Sequence, residues 1–431
     1  MARENSRIKM RLQIENAPRD ILFSILKRLP LKSVLRFCCV SKYWFNVIMD
    51  PDFRILHFFQ SPSEPTALIL SQRKLLRENV VSMSPLNRKH HKVHVSDNAI
   101  SHMVGSHPFN LVGTCNGLLC FTSFNQGESI YVGNPITREL VTLPKPPKIA
   151  SPEPCTLVYG FGFDCLTKKY KVVRIFYPTP SVQQRFIFEN LETHMTAEVY
   201  TLGATGSWKA VQGFNRHPFG QPVFANGAIH WVVHPRFLLG HRNHRIISFD
   251  ISKDEFIATP HPVFASTFSI AELRGCLSVA DIMSDLIRVW VLKDHITNHW
   301  EQEYIVPINH PRSLDGRFPR LISIYEQNEV LLIWLQDGLY SYEPRTLRRK
   351  MLKISGFPTW LDWEVCSSFR GSLVPLGAYC DNGCGEKDAA YFVSDMELYS
   401  RPISALVCEQ ENVGRSKALI TCFSKNQMLV D

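Results

Sequence analysis

Three groupings carry residue types that could do chemistry. His90, His91 and His94 place three imidazoles within five positions. A zinc site needs four nitrogen or thiolate donors in a tetrahedron, and no matching cluster of Cys or carboxylates accompanies these three. With Asn87, Arg88, Lys89 and Lys92 beside them they read as a polar, basic loop over about residues 87 to 97. Cys380 and Cys384 have three residues between them, with no second pair at ligand spacing, so they read as a turn carrying two thiols. Tyr159-Gly160-Phe161-Gly162-Phe163 contains Gly-x-Gly but lacks the third Gly. The residues after it have strand texture, whereas a nucleotide-binding turn must open a helix. No Gly-x-Ser-x-Gly elbow and no His-Glu-x-x-His pair occurs. Nothing in the spacing nominates a catalytic, metal or cofactor site. The basic run at Arg345 and Arg348-Arg349-Lys350 reads as a solvated strand edge.

Composition narrows the class further. The chain has 431 residues, with 45% hydrophobic and 20% charged, a globular balance. That length exceeds one ordinary core and implies two domains or a repetitive architecture. The segment Met1 to Arg7 has no apolar run of a secretory leader. The purest apolar run, Val330 to Leu335, falls far short of the ~20 residues that span a membrane. The 12 cysteines are scattered, which favours reduced core thiols over disulfides. Residues 1–60 hold 11 Lys and Arg against 5 Asp and Glu, leaving 37 against 34 in the remaining 371. The net charge of +9 is thus concentrated at the start of the chain. That placement argues against nucleic acid as the main partner and for docking of an acidic one.

The first 60 residues have helical texture. Leu22, Ile25, Leu26 and Leu29 recur at helical spacing, with Ile21 widening the stripe. Pro18 suits a first turn, Asp20 the positive end, and Pro30 a stop. A second helix is predicted over Lys32 to Cys39. Ser41 caps a third carrying Trp44, Val47 and Ile48. Asp50-Pro51 starts a fourth that ends near Phe59. Ser61 to Pro65 is a linker signal, and Ala67 to Leu70 reads as a first strand.

From about residue 109 short strand-like runs alternate with Gly, Asn, Asp and Pro turns. They include Gly117–Phe121, Ser129–Val132, Tyr170–Phe176, Ala197–Leu202, Ile229–Val233, Ile246–Ile251, Ile287–Leu292 and Val330–Leu335. A Gly turn followed by an apolar strand repeats at Asn116-Gly117, Asn226-Gly227, Arg274-Gly275 and Arg370-Gly371. A strand, polar turn, strand unit repeats at Val132–Glu139, Phe249–Glu255 and Tyr342–Leu347. Repeats of this kind predict a propeller of five to seven blades. Trp208, Trp231, Trp290, Trp300, Trp334, Trp360 and Trp363 are then expected in blade cores.

The N-terminal pieces resemble an F-box. Pro18-Arg19-Asp20-Ile21-Leu22, Ile25 to Pro30, Lys32 to Phe37 and Cys39 to Trp44 occur in order at the family's gaps, over about residues 12 to 58. Later pieces resemble the F-box-associated (FBA, kelch-like) region of plant F-box proteins. These are Cys115 to Cys120, Asn134 to Arg138, Tyr159 to Asp164, Tyr170 to Arg174, Val199-Tyr200 with Ser207-Trp208, and Asn226-Gly227 before His230-Trp231. Ala17 stands where the family usually has Leu, and Ser24 where an acidic residue is common; both bear on the strength of the docking contact.

The expected organisation is an α+β multidomain chain. A small helical F-box at 12–58 is followed by a linker with a first strand at 59–108. An all-β propeller-like domain at 109–378 comes next, then an extension at 379–431. The resemblance implies a non-catalytic substrate receptor in an SCF-type (Skp–cullin–F-box) ubiquitin ligase, in cytoplasm or nucleus. Its partners would be a Skp-type adaptor, through it a cullin–RING ligase, and a target protein that the sequence does not name. The matching adaptor-contact positions are Pro18, Ile21, Leu22, Ile25, Leu26, Leu29, Pro30, Leu35, Val40 and Trp44. The alternatives are an adaptor-bound scaffold without ligase activity, or a propeller enzyme with carboxylates converging in its channel.

Overall fold

The computed structural model describes residues 18–61, 66–73, 78–87, 92–94, 109–123, 129–150, 154–179, 195–203, 207–233, 245–263, 267–308, 320–325, 330–335, 338–355 and 362–377. Cys380, Cys384, His90, His91 and Trp360 lie outside the described residues. The chain divides into a helical unit and a β unit spanning Glu64–Gly371.

Among the described residues the first unit holds four short helices: Arg19–Leu26 (α1), Leu31–Phe37 (α2), Lys42–Ile48 (α3) and Pro51–Gln60 (α4). Their starts obey the sequence signals. Ser41 Oγ accepts the Trp44 N–H at 3.3 Å. Asp50 Oδ1 accepts the N–H groups of Asp52 and Phe53 at 3.0 and 3.3 Å, with Pro51 at the first position of α4. Pro18 and Pro30 precede α1 and α2 without side-chain caps, holding the chain extended where a helix cannot continue backwards.

The β unit opens with Thr66–Arg73 (β1), Glu78–Asn87 (β2) and Lys92–His94 (β3). Four-stranded antiparallel meanders come next. The first is Phe109–Cys115 (β4), Leu118–Ser123 (β5), Ile130–Asn134 (β6) and Glu139–Thr142 (β7). The second is Cys155–Asp164 (β8), Lys169–Pro178 (β9), Thr196–Thr201 (β10) and Lys209–Val211 (β11). Pro218–Ala225 (β12), Ala228–Val233 (β13), Ile246–Asp250 (β14) and Glu255–Ala258 (β15) form the third. Thr267–Leu273 (β16), Cys276–Ile282 (β17), Leu286–Asp294 (β18) and His299–Pro307 (β19) form the fourth. The fifth is Arg320–Tyr325 (β20), Val330–Leu335 (β21), Gly338–Glu343 (β22) and Arg348–Met351 (β23). Lys353–Ser355 (β24) and Asp362–Phe369 (β25) finish the unit.

The last two strands return to the first three. β25 pairs antiparallel with β1, Thr66 opposite Phe369, and β24 pairs parallel with β3. The sixth sheet therefore has the order β24-β3-β2-β1-β25. The leading strands touch in a closed cycle, β25 with β4, β4 with β8, β8 with β12, β12 with β16, β16 with β20 and β20 with β25. The unit is a six-bladed propeller, within the predicted five to seven.

All eight strand runs expected from the sequence fall on strands. The region 59–108 differs: it holds three strands of a blade, not one strand in a linker. Lys92–His94 is a strand where the sequence suggests a loop: it is short and basic and carries no apolar pattern of its own, but it is paired on both sides, by β2 and β24. The Phe369-Arg370-Gly371 repeat also differs. No strand follows Gly371: the inner strand β25 ends at Phe369, and the place of its outward neighbour is taken by β1, so no hairpin forms there.

Two turn designs recur. Asn116-Gly117, Asn226-Gly227 and Arg274-Gly275 join inner strands to their neighbours with φ between 50° and 80° at both positions. That is the two-residue hairpin whose twist matches the strands. The second design opens with Asn or Asp, whose Oδ1 accepts the N–H groups two and three residues on. It occurs at Asn134, Asp164, Asp250 and Asp294. The fifth residue of each turn is left-handed: Arg138, Lys168, Asp254 and Asn298. The turn from Glu343 takes the same course, with Leu347 at φ 54°.

The core sits between blades. One cluster joins Val173, Ile175 and Val199 to Ile229, Trp231 and Phe249 of the next blade. A second joins Ala225 and Ile246 to Leu277 and Val279, and a third joins Ile287 and Val289 to Ile333 and Tyr342. Trp231 and Trp208 are buried, as expected. Trp290 and Trp300 pack partly buried against the second cluster. Gly160 and Gly162 belong to this packing, not to a phosphate loop. A Cβ on Gly160 would lie 2.5 Å from Trp231 Cζ2 and 2.9 Å from Ile229 Cγ2. A Cβ on Gly162 would collide with Ile251 and Phe224.

A polar clasp closes the same junction. Lys171 Nζ donates to Ile251 O at 2.7 Å and to Asp254 Oδ1 at 2.8 Å, and lies 3.5 Å from Asp164 Oδ2. Ser252 Oγ donates to Asp164 Oδ1 at 3.1 Å. Burial raises the pKa of Asp164, but hydrogen bonds from Thr167, the Leu166 and Thr167 N–H groups and Ser252 outweigh it and hold the pKa below its ordinary value.

This junction makes two predictions. Gly160→Ala is expected to cost about 1–3 kcal/mol by overpacking, whereas Gly113→Ala, with nothing within 4 Å of its Cβ, serves as the near-neutral control in chemical denaturation. The lowered Asp164 pKa means its contribution is full above the unfolded-state value and fades as pH falls through the folded one. Stability measured from pH 7 down to pH 3 is therefore expected to fall less steeply in Asp164→Asn than in the parent. Equal slopes would remove the clasp from the acid response.

Candidate interaction surface

The helical unit sorts its apolar residues into two sets. Leu22, Leu26, Val34, Trp44, Val47, Ile48, Phe53 and Phe58 are buried. Phe23 packs on Phe53 and Phe37 on Trp44, ring centroids 5.1 Å apart in both. His57 Nε2 donates to Leu29 O at 2.9 Å, tying α4 to the end of α1. Arg19 forms an ion pair with Asp50, and its guanidinium lies 5.0 Å from the Phe23 ring.

The second set faces outward. Ile21 and Ile25 stand one helical turn apart on α1 at 52% and 53% exposure, and Val40, just before α3, is at 53%. Tyr43 and Phe45, on either side of buried Trp44, are also exposed. Cationic Arg28, Lys32, Arg36 and Lys42 are exposed as well, with Lys27 half-buried. Hydrated charge around half-bare aliphatic side chains is the makeup of a surface that another protein covers.

The ten positions expected from the sequence therefore divide. Pro18, Ile21, Ile25, Pro30 and Val40 are exposed, and Leu29 and Leu35 are half-buried. Leu22, Leu26 and Trp44 are not on the surface: at 3%, 0% and 8% exposure they are the unit's own core. The reason is angular. Leu22 and Leu26 lie one position from Ile21 and Ile25, so α1 carries two apolar stripes about 100° apart, and only one can face inward. Tyr43 and Phe45 escape the sequence reading, because aromatic residues flanking a core Trp carry no spacing signal of their own.

The β unit brings one nucleophile and one base together. Ser248 Oγ lies 2.6 Å from His230 Nδ1, and His230 Nε2 lies 3.0 Å from Ala225 O. A carbonyl only accepts, so Nε2 carries the proton and Nδ1 accepts from Ser248. All of these groups are buried, and burial pushes the His230 pKa down to about 4. The imidazole is a neutral brace between β13 and β14, shut off from any substrate. Among the described residues no group of three or more His, Cys, Asp or Glu is placed to hold a metal ion. No helix among them is long and apolar enough to cross a membrane.

The described residues thus form a helical unit with a half-bare aliphatic ridge and a closed six-bladed propeller. Residues 18–56 match the F-box domain model, and residues 66–336 match the model of the F-box associated beta propeller domain. The chain belongs to the family of F-box proteins with that propeller. It is 26% identical over 387 residues to the F-box protein At3g07870 of Arabidopsis thaliana, covering 82% of this chain and 91% of that protein. It is 29% identical over 305 residues to the F-box/kelch-repeat protein At3g23880 of the same plant, covering 65% and 76%. The F-box protein CPR1, also from Arabidopsis thaliana, is 27% identical over 381 residues, covering 81% and 87%. Among solved structures, the six-bladed fungal lectin of Aleuria aurantia aligns at TM-score 0.34 and 11% identity, covering 69% of this chain and 100% of that one.

The Ser41 cap holds the start of α3, next to Val40. Ser41→Ala is expected to lower stability of the helical unit by about 1 kcal/mol, read as faster amide exchange at Trp44 with β-unit exchange unchanged.

Proposed function

We propose that this protein is a substrate-recognition subunit of an SCF-type ubiquitin ligase. Its F-box docks on a Skp-type adaptor and its propeller binds the target protein. The observation that carries this reading is the outward ridge of Ile21, Ile25 and Val40, which the unit leaves uncovered although it buries Leu22 and Leu26 beside it. In the family the adaptor links such a ridge to a cullin–RING ligase. The chemistry of ubiquitin transfer lies with that assembly, and this chain supplies proximity and choice of target. The cations around the ridge steer an acidic adaptor and act chiefly on association rate. The 12 cysteines are scattered along the chain, which suits a reducing compartment, cytosol or nucleus.

The double variant Ile21→Asp/Ile25→Asp is expected to keep its fold and lose adaptor affinity by at least about 100-fold, the cost of burying unpaired carboxylates. Leu22→Asp/Leu26→Asp is expected to unfold the helical unit instead. Calorimetric titration with purified adaptor, paired with circular dichroism, separates the two. Undiminished binding by the folded Ile21/Ile25 variant would remove the ridge from the contact. Reconstituted ubiquitylation with adaptor, cullin and RING subunits decides between a ligase receptor and an adaptor-bound scaffold.

A further inference from the structure

The helical unit does not end with α4. After β25 the chain leaves the propeller at Arg370-Gly371, and from Ser372 it groups with the helices. Ser372, Leu373, Val374 and Leu376 are all at most 3% exposed. An extended terminal segment lying free would show such side chains to water. On the helix side, α4 buries Phe53, Arg54, His57 and Phe58 along one face. Arg54, a long cation that rarely goes inside unless its donors are met, donates from Nε to the Leu373 carbonyl. The Val374 N–H donates to Ser372 Oγ at 3.4 Å, holding the segment in a local turn. Neither matched domain reaches this stretch, since the F-box match stops at 56 and the propeller match at 336.

We infer that Ser372–Gly377 is an integral element of the helical docking unit, which is therefore assembled from both ends of the described chain. The buried face of α4 is occupied by the protein's own chain, so a docking partner is left the exposed apolar side chains Ile21, Ile25 and Val40 with Tyr43, Phe45 and Phe59. The chain also enters and leaves the propeller beside one point: it arrives from the helices before Thr66 and returns to them after Phe369, and these two residues are direct partners in the β1–β25 register. The consequence for a docking partner rests on the adaptor-docking reading proposed above; the assembly of the unit from two chain segments does not.

Hydrogen exchange on the full chain, without any adaptor, tests the assembly directly. Leu373→Asp/Leu376→Asp is expected to speed exchange of α4 amides at least ten-fold while β13 and β14 keep their protection. Arg54→Met, which keeps bulk but removes the donor, is expected to give a smaller increase confined to α4 and Leu373. Unchanged α4 exchange in both variants would overturn the inference. So would equal loss of protection in β13 and β14, because the segment would then belong to the propeller. Adaptor affinity of the unaltered chain is measured separately; its absence would count against the docking reading and leave the exchange result standing.

Discussion

The pairing of β25 with β1 is the contact on which the rest of this molecule depends. Each inter-blade cluster needs a neighbour on both sides, and five meanders in a row would leave two blades with a bare apolar face. By placing Thr66 opposite Phe369, the chain turns an open row into a cycle in which every leading strand has two neighbours. The same closure removes two inner sheet edges that would otherwise invite foreign strands. β24, lying parallel along β3, covers an outer edge of the same sheet. The first and last strands of the β unit are thus consumed in one blade, and the segment just beyond it returns to the helices.

Function is divided by the kind of surface each unit presents. In the propeller Gly160 and Gly162 allow close inter-blade approach, Gly160 against Trp231 and Gly162 against Ile251 and Phe224. Its reactive-looking pair, His230 and Ser248, is sealed inside. The helical unit is too small to bury all its apolar side chains. Its surplus, Ile21, Ile25 and Val40, stays outside beside a cationic rim.

Much of this is legible in the sequence because it is local. Ser41 and Asp50-Pro51 announce two helix starts through side-chain geometry alone, and the Asn-Gly turns announce hairpins through their backbone freedom. Long-range and directional features escape. β1 and β25 are nearly 300 residues apart, so no local pattern pairs them, and β3 is too short and too basic to resemble a core strand. The two stripes of α1 are equally apolar, so periodicity shows that a ridge exists but not which of Leu22 or Ile21 turns inward. Gly160 and Gly162 stand out in the sequence, yet only the facing Trp231, Ile251 and Phe224 side chains of another blade explain them.

The closing blade also sets a schedule. During synthesis α1 to α4 and β1 to β3 emerge first, but the inner partner of β1 is among the last described strands to leave the ribosome. Until then the growing chain carries an unpaired β1 edge and a row of blades whose terminal faces are bare, a state prone to sticking. The helices likewise wait for Ser372–Gly377 to complete their unit. A chain stalled or cut before Phe369 would lack both the finished ring and the segment that completes the helical unit.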